Sequence, residues 1–406
     1  MSPAVAIVAD DLTGAADTAA GFLAAGCTAY VTWDPGALDA RPCDEDVLAI
    51  DTRTRRGPAA GARAETARAV ARIRRFDGIR LYKKVDSLLR GFVGEEVGAA
   101  VGAWHPGSLA IVAPAFPATG RTTIGGRVHV DGAPLARPPV ADVLSAAGVR
   151  TSAVSLAVVR GGGLGDCLAA CEASGDRAIV CDAESDGDLC AIAEAGVKRG
   201  RHVVWVGSGG LARALASHVH VASPRPSAGA TAVAATTSGA TTVAPVLLVV
   251  GSASAVARAQ VARVAAAGTV LLSIPASVLR GPGPWSNAVS QIETTLRSGR
   301  DLVVTVEAAA DTAEDDRVVA ALGCLLGSSA KLVGGLVVTG GETAAALFRA
   351  WGISGLRLID EIEPGVPRSV AEGACAGLPV VTKAGSFGDA ATLDRARMRL
   401  RAGVAA

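Results

Sequence analysis

Short apolar runs rich in β-branched residues alternate with Ala-rich stretches along all 406 residues of the chain. In the first half the runs cover 5–9, 28–33, 47–50, 80–85, 109–113, 178–181 and 202–206. In the second half they cover 246–250, 270–274, 302–306, 336–339 and 379–382. Such short runs, bounded by Gly, Pro and Asp, predict buried strands, and the Ala-rich stretches predict the helices that cover them. Strands alternating with helices predict right-handed βαβ units and mostly parallel sheets. No repeat of 20–50 residues is visible, which argues against a solenoid.

The pattern breaks once. Between Val221 and Ala244 the chain is almost entirely Ala, Thr, Ser, Gly and Pro, with one charge and no sustained apolar period. This reads as a linker, 221–244, between an N-terminal domain, 1–220, and a C-terminal domain, 245–406. The predicted fold is therefore α/β with two domains, each a mostly parallel sheet flanked by helices. Two such domains are expected to hold a ligand in the cleft between them and to close on it.

Composition narrows the classes of function. Half of the residues are apolar, 3% are aromatic and the net charge is +1. A nearly neutral chain lacks the electrostatic footprint of a nucleic-acid or anionic-membrane binder. No apolar stretch approaches the roughly 20 residues that a membrane span needs. The opening MSPAVAIVADD has no basic segment and meets two aspartates early, so it reads as a first strand and not a signal peptide. The eight cysteines include no CxxC pair. They read as small buried thiols of a reducing compartment, which points to the cytoplasm.

Ligands of open α/β sheets sit at the carboxyl ends of strands, and that rule ranks the polar clusters. Asp10-Asp11-Leu12-Thr13-Gly14 follows the first strand and precedes a helix predicted from about Ala15 to Ala25. One carboxylate can cap that helix while the other serves as base, metal ligand or hydroxyl acceptor. Lys83-Lys84-Val85-Asp86-Ser87-Leu88-Leu89-Arg90-Gly91 follows the fourth run. So many charges are costly to bury without a ligand; Arg grips a carboxylate with two bonds, Lys neutralises phosphate, and Asp86 could accept a hydroxyl proton. Arg55, and Arg121 in the stiff loop Pro114–Thr123, are further candidate anion clamps.

In the C-terminal half the signals are glycine-rich. Gly251-Ser252-Ala253-Ser254, Thr339-Gly340-Gly341-Glu342-Thr343 and Lys383-Ala384-Gly385-Ser386-Phe387-Gly388 each follow a strand. Glycines let a backbone approach phosphate, and a helix N-terminus offers free N–H donors. A helix is predicted from Ala344 to Trp351. Gly207-Ser208-Gly209-Gly210-Leu211 is similar in style, or is simply a tight turn into a helix. There is no GxxxxGK[ST] motif, and no GxGxxG opens either half, so P-loop and dinucleotide-dehydrogenase readings fall.

Taken in order, these segments resemble the four-carbon acid sugar kinase family. The matching stretches are IVADDLTGAADTAAGF, KKVDSLLRG, PAFPATGRTTIGG with VDGAPL, VGSGGLA, VVGSASAVARAQ, TGGETAAALFRAWG, EIEPGVP and KAGSFGD. The resemblance implies ATP- and Mg²⁺-dependent phosphorylation of a hydroxyl on a tetronate-type sugar acid, with a homodimer as the assembly to test. By match of motif it implies that Asp11, Arg55, Lys84, Asp86 and Arg90 meet the acid; Asp10, Ser87 and Arg121 join them as candidates from their own loops, and Asp86 or Asp11 would take the hydroxyl proton. Ser252, Ser254, Gly340, Gly341, Glu342, Thr343 and Gly385 then meet ATP, with Lys383 a further candidate from its place after a strand; no metal ligand is assigned. Leu88 and Phe92 stand where members commonly carry Thr and Asn, and Ala136–Val140 replaces a longer polar stretch. These departures predict a less polar or bulkier acid than a plain tetronate. Two rival readings are a metal-dependent sugar-acid lyase or aldolase using Asp10 and Asp11, and a non-catalytic two-lobed sensor.

Overall fold

The structure, a computed structural model, describes residues 3–34, 44–219, 244–307 and 315–403. The chain divides into two compact units, Met1–Arg225 and Pro226–Ala406. The predicted linker lies outside the described residues except for Ala244, and so does Cys43.

The N-terminal unit is built on β1 (Val5–Ala9), β2 (Ala29–Thr32), β3 (Val47–Asp51), β4 (Arg80–Lys84), β5 (Leu109–Ala113), β9 (Thr151–Val154), β10 (Ala178–Cys181) and β11 (Val203–Gly207). Their order across the sheet is β2-β3-β1-β4-β11-β5-β10-β9, with every neighbouring pair parallel. Every residue of β1, VAIVA, is buried. A parallel strand covered on both faces must be apolar throughout, which is why these runs do not alternate. Three short strands, β6 (Arg121–Ile124), β7 (Arg127–Val130) and β8 (Ala133–Pro134), form a separate antiparallel sheet. The core of this unit joins Val8, Ile50, Leu81, Val97, Trp104 and Val206.

The C-terminal unit holds β12 (Val246–Val250), β13 (Val270–Pro275), β14 (Leu302–Glu307), β15 (Gly335–Thr339), β16 (Ile353–Glu363), β17 (Val366–Gly373) and β18 (Pro379–Lys383). The order β13-β14-β12-β15-β18 is parallel; β17 and β16 then extend the sheet antiparallel. Sequence reading missed this hairpin. Its apolar positions are interrupted by Arg357, Asp360, Glu361 and Glu363, and the Pro364-Gly365 turn, with Gly365 at φ 82°, sits inside a segment read only as a family motif. The helix after β1 starts three residues earlier than predicted, at Leu12, and the helix after β15 also starts three earlier, at Gly341.

The described cysteines are all free, but they are not uniformly buried: Cys190 and Cys324 are exposed. Their helices turn those positions to solvent, which an apolar sequence context alone does not reveal.

Candidate active site

The order of the N-terminal sheet gathers its polar residues. β1 lies between β3 and β4, with Ala9 level with Asp51 and Val8 level with Lys83. The residues that follow therefore leave the sheet at one edge. The backbone N–H groups of Thr54 and Arg55 donate to the Asp10 carbonyl at 3.1 and 3.2 Å, folding the β3 loop over the end of β1.

Arg55 is the hub of the cluster. Its Nε and Nη2 donate to Asp10 Oδ2 and Oδ1 at 2.7 and 2.8 Å. Its Nη1 lies 2.9 Å from Asp11 Oδ2, and its Nη2 lies 3.6 Å from Asp86 Oδ1. Asp11 also caps the following helix, accepting from Gly14 N at 3.0 Å and from the Thr13 hydroxyl at 2.7 Å. It thus caps and pairs at once. Burial alone would push the Asp10 carboxyl up, but Arg55, Lys83 and Lys84 hold it below its ordinary value. Burial likewise disfavours the Arg55 cation, yet Asp11, Asp10 and Asp86 hold its pKa well above the usual value.

Asp86 is gripped from its own loop. Arg90 donates through Nε and Nη2 at 2.9 and 2.7 Å, and the N–H groups of Leu88 and Arg90 donate at 3.0 and 3.2 Å. Burial raises its pKa, but Arg55, Arg90 and Lys84 outweigh it, and the carboxyl stays far below the ordinary range. Lys84 is 4% exposed, and its Nζ has one hydrogen-bond partner among the described residues, Val85 O at 2.9 Å. Gly14 makes room for it: a Cβ there would meet Asp11 Oδ1 at 2.5 Å and Lys84 Nζ at 3.1 Å. Ser87 is buried beside Asp86 in the chain. Arg121, at the start of β6, is buried; burial lowers its pKa, and the Asp86 and Arg90 charges both act on it. Asp10, Asp11, Arg55, Lys84, Asp86, Arg90 and Arg121 thus belong to one electrostatic network, which Ser87 only adjoins in the chain. Lys83 has a different role. It is fully buried against Glu96 at 2.9 Å, while Thr54 donates to the other Glu96 oxygen at 2.7 Å.

Asp51 escaped sequence reading. It ends β3, is 1% exposed, and accepts from Arg53 N at 2.8 Å through Oδ1 only; Oδ2 has no partner. Burial first, then the charges of Asp11 and Asp10, push its pKa up to about 8. It lines a cavity of about 620 Å³ together with Arg53, Arg56, Arg68 and Arg72. The available signal was an aspartate closing a wholly apolar strand.

The three glycine turns of the C-terminal unit come together. Gly340 N donates to Lys383 O at 2.9 Å, and Ser254 Oγ donates to Gly385 O at 2.7 Å. Ser254 also caps the helix Ala255–Ala266, accepting from Ala257 N at 3.1 Å. A Cβ on Gly385 would meet Ser252 Oγ at 2.1 Å, and one on Gly251 would meet Thr343 Oγ1 at 1.9 Å. The helix Gly341–Trp351 begins at Gly340, φ 99°, with no side-chain cap, and carries Glu342 and Thr343 in its first turn. A helix N-terminus of this kind is where backbone N–H groups and the dipole favour an anion. Lys383 is 1% exposed; its Nζ donates to Ala384 O at 2.8 Å and Phe387 O at 2.9 Å. It ties the turn down from beneath, and burial lowers its pKa to about 8. The turn at Gly207 is structural: Ser208 Oγ donates to Ala115 O at 3.0 Å, and Gly209 and Gly210 pack against Phe116 and Ala115.

One unit thus carries a carboxylate–guanidinium cluster and the other a set of adjoining glycine turns, and the same division marks the two domains that the chain matches. A family model described as "Sugar-binding N-terminal domain" matches residues 5–215, and one described as "Nucleotide-binding C-terminal domain" matches residues 247–393. The chain belongs to the four-carbon acid sugar kinase family. It is 40% identical to a D-threonate kinase of Cupriavidus necator, covering 95% of each chain, and 34% identical to one of Bordetella bronchiseptica, covering 98% of each. A D-erythronate kinase of Heliobacterium modesticaldum is 30% identical over 95% of this chain and 94% of its own. The fold is shared with the solved Haemophilus influenzae protein HI1011, at TM-score 0.68 and 20% identity, covering 97% of this chain and 100% of that one.

The metal-dependent lyase reading loses its site, because the Arg55 guanidinium already sits among the Asp10, Asp11 and Asp86 carboxylates. The sensor reading leaves the glycine turns without a purpose.

Proposed function

We propose that the chain transfers the γ-phosphoryl group of MgATP to a hydroxyl of a four-carbon sugar acid, with D-threonate the first acceptor to test. The observation that carries this reading is the Arg55–Asp10–Asp11–Asp86–Arg90 network with Lys84 buried beside it, on a unit matched by a sugar-binding domain. Lys84, Arg90 and Arg121 supply cations for the acid's carboxylate, and Asp10 and Asp11 supply acceptors for its hydroxyls. Ser252, Ser254, the Gly340–Thr343 turn and Gly385 take the phosphates. Lys383 acts on them through the turn that it anchors.

Phosphoryl transfer asks mainly for positioning and charge neutralisation. A carboxylate facing the attacking hydroxyl must therefore be placed and ionised more than it must be strongly basic. Asp86 meets that condition, since its partners keep it ionised, and Asp11 is the alternative acceptor. Among the described residues no group of three or more His, Cys, Asp and Glu side chains is arranged to hold a metal ion. Mg²⁺ brought by the nucleotide would neutralise phosphate charge and ask for few protein carboxylates. The test is ADP release measured with D-threonate, L-threonate, D-erythronate and larger hydroxy acids. Turnover with none of them, despite bound ATP, would overturn the proposal.

A further inference from the structure

Three members of the acid cluster are each preceded in the chain by a residue of a second network. Ala9 precedes Asp10, Thr54 precedes Arg55, and Lys83 precedes Lys84. Lys83 is fully buried, and three oxygens surround its Nζ: Lys84 O at 2.7 Å, Glu96 Oε2 at 2.9 Å and Val8 O at 3.2 Å. That is one acceptor for each N–H of an ammonium. The other Glu96 oxygen accepts from the Thr54 hydroxyl at 2.7 Å. The Thr52 hydroxyl lies 2.8 Å from that of Thr54 and 2.9 Å from Ala9 O. Glu96, itself 2% exposed, thus joins the ends of β1, β3 and β4.

The place of Glu96 in the chain gives this network a second consequence. It lies in the first turn of the helix Val93–Trp104, which the chain enters from the loop after β4. Lys84, Asp86 and Arg90 all lie between Lys83 and Glu96. The ion pair therefore closes the base of their loop, fixing both where it leaves the sheet and where it enters the helix. The bond to Thr54 does the same for the segment that carries Arg55, whose own N–H donates to Asp10 O at 3.2 Å. One carboxylate thus sets the backbone of four members of the cluster. A buried ion pair is weak evidence for stability, because apolar residues of similar volume often serve as well. Placement is the stronger reason to keep one here, since a misplacement of about 1 Å can cost about 10²-fold in rate.

We propose that Glu96 is a positioning residue: through Lys83 and Thr54 it holds Lys84, Asp86, Arg90 and Arg55 in the arrangement that receives the sugar acid, without touching the acid itself. The inference rests on the proposed function of this cluster.

Kinetics with the acid, ADP binding by calorimetry and thermal melting, all on the full chain, test it. Thr54→Val keeps the shape of the side chain and removes the hydroxyl that reaches Glu96; Thr54→Ser keeps the hydroxyl. The double variant Lys83→Met with Glu96→Gln removes both charges together, so that neither is left buried and unpaired. Well below their melting temperatures, Thr54→Val and the double variant should lose about tenfold or more in kcat/KM for the acid, with ADP affinity within about twofold of native. Thr54→Ser should recover most of that loss. Native kcat/KM in both Thr54→Val and the double variant, whatever their melting temperatures, would reduce the network to a structural one and overturn the proposal. So would equal losses in Thr54→Ser and Thr54→Val, or a loss of ADP affinity as large as that of kcat/KM. Turnover of no tetronate or larger hydroxy acid by the native chain would instead overturn the proposed function on which the inference rests.

Discussion

Arg55 holds both oxygens of Asp10, at 2.7 and 2.8 Å, while its remaining nitrogen meets Asp11 at 2.9 Å. Removing one partner of a buried ion pair leaves an uncompensated charge, at a cost of about 3–5 kcal/mol. Here one guanidinium serves three carboxylates, so Arg55→Met should destabilise the N-terminal unit by at least that much in urea unfolding. Arg55→Lys should recover only part of it, because an ammonium cannot span Asp10 with two parallel bonds. Equal stability of the lysine variant and the native chain would refute this account of the hub.

Asp86 is expected to matter for rate more than for substrate affinity. Asp86→Asn should lower kcat by about 10²-fold, the scale of a lost proton acceptor, with a modest change in KM. Because Arg55, Arg90 and Lys84 keep its carboxyl far below the ordinary range against the opposing effect of burial, the pH–rate profile should show no acidic limb from this residue above about pH 4. Near-native kcat in the variant would pass the role to Asp11.

Asp51 predicts a pH dependence of stability. Its pKa in the folded chain is about 8, against about 4 when unfolded. The folded chain therefore keeps a proton that the unfolded chain loses across that window. The stability it contributes is full below about pH 4 and is lost as pH rises toward 8. Asp51→Asn removes the effect. Its melting temperature relative to the native chain should climb steadily from about pH 4 to pH 8, because the native chain loses about 1.4 kcal/mol per pH unit across that window and the variant does not. A difference between the two chains that is the same at about pH 4 and pH 8 would show that ionisation is not involved.

Lys383 predicts a second pH effect, on the nucleotide. Burial sets its ammonium near pKa 8, while Nζ ties down Ala384 O and Phe387 O. Above about pH 8 the charge that organises the turn is lost, so the KM for ATP should rise there. The folded pKa lies below the unfolded one of about 10.4, so this group makes stability rise between about pH 8 and 10, opposite in sign to the loss of ATP affinity. Lys383→Met should show a raised KM at every pH and no such inflection. An unchanged KM in that variant would remove Lys383 from the site.

Much of this was legible in the chain. The parallel strands show because both faces are buried, so runs such as VAIVA and VLLVV stand out, and the strand-end rule then singled out Asp10, Asp86 and Gly340 as candidates. The β16–β17 hairpin did not show, since its half-exposed strands mix Arg, Asp and Glu with Leu and Ile. Nor could the chain show that Lys83 and Lys84, adjacent in sequence, divide into a partner of Glu96 and a cation beside the acid cluster. Alternate residues of a strand point to opposite faces, but which face met the helix carrying Glu96 was fixed by packing. Lys383 looked like a phosphate ligand, and only the fold of its own turn turned the ammonium inward.

The acceptor itself is the remaining choice, and Leu88 bears on it. The backbone of Leu88 donates to Asp86 at 3.0 Å, and Leu88, like Phe92, is half-buried. A substrate hydroxyl facing leucine is desolvated without a partner, at about 1–3 kcal/mol, or roughly ten- to a hundredfold in kcat/KM. A threonine at this position would offer that hydroxyl a partner. Leu88→Thr should therefore raise kcat/KM for D-threonate about tenfold or more, and should lower it for a bulkier or less polar hydroxy acid that the native chain accepts. A kinetic panel of the three tetronates and larger acids, run on both chains, decides. If native kcat/KM for a plain tetronate already exceeds about 10⁴ M⁻¹s⁻¹, the low end of ordinary enzymes, and Leu88→Thr leaves it unchanged, the leucine points away from the acid and sets no preference.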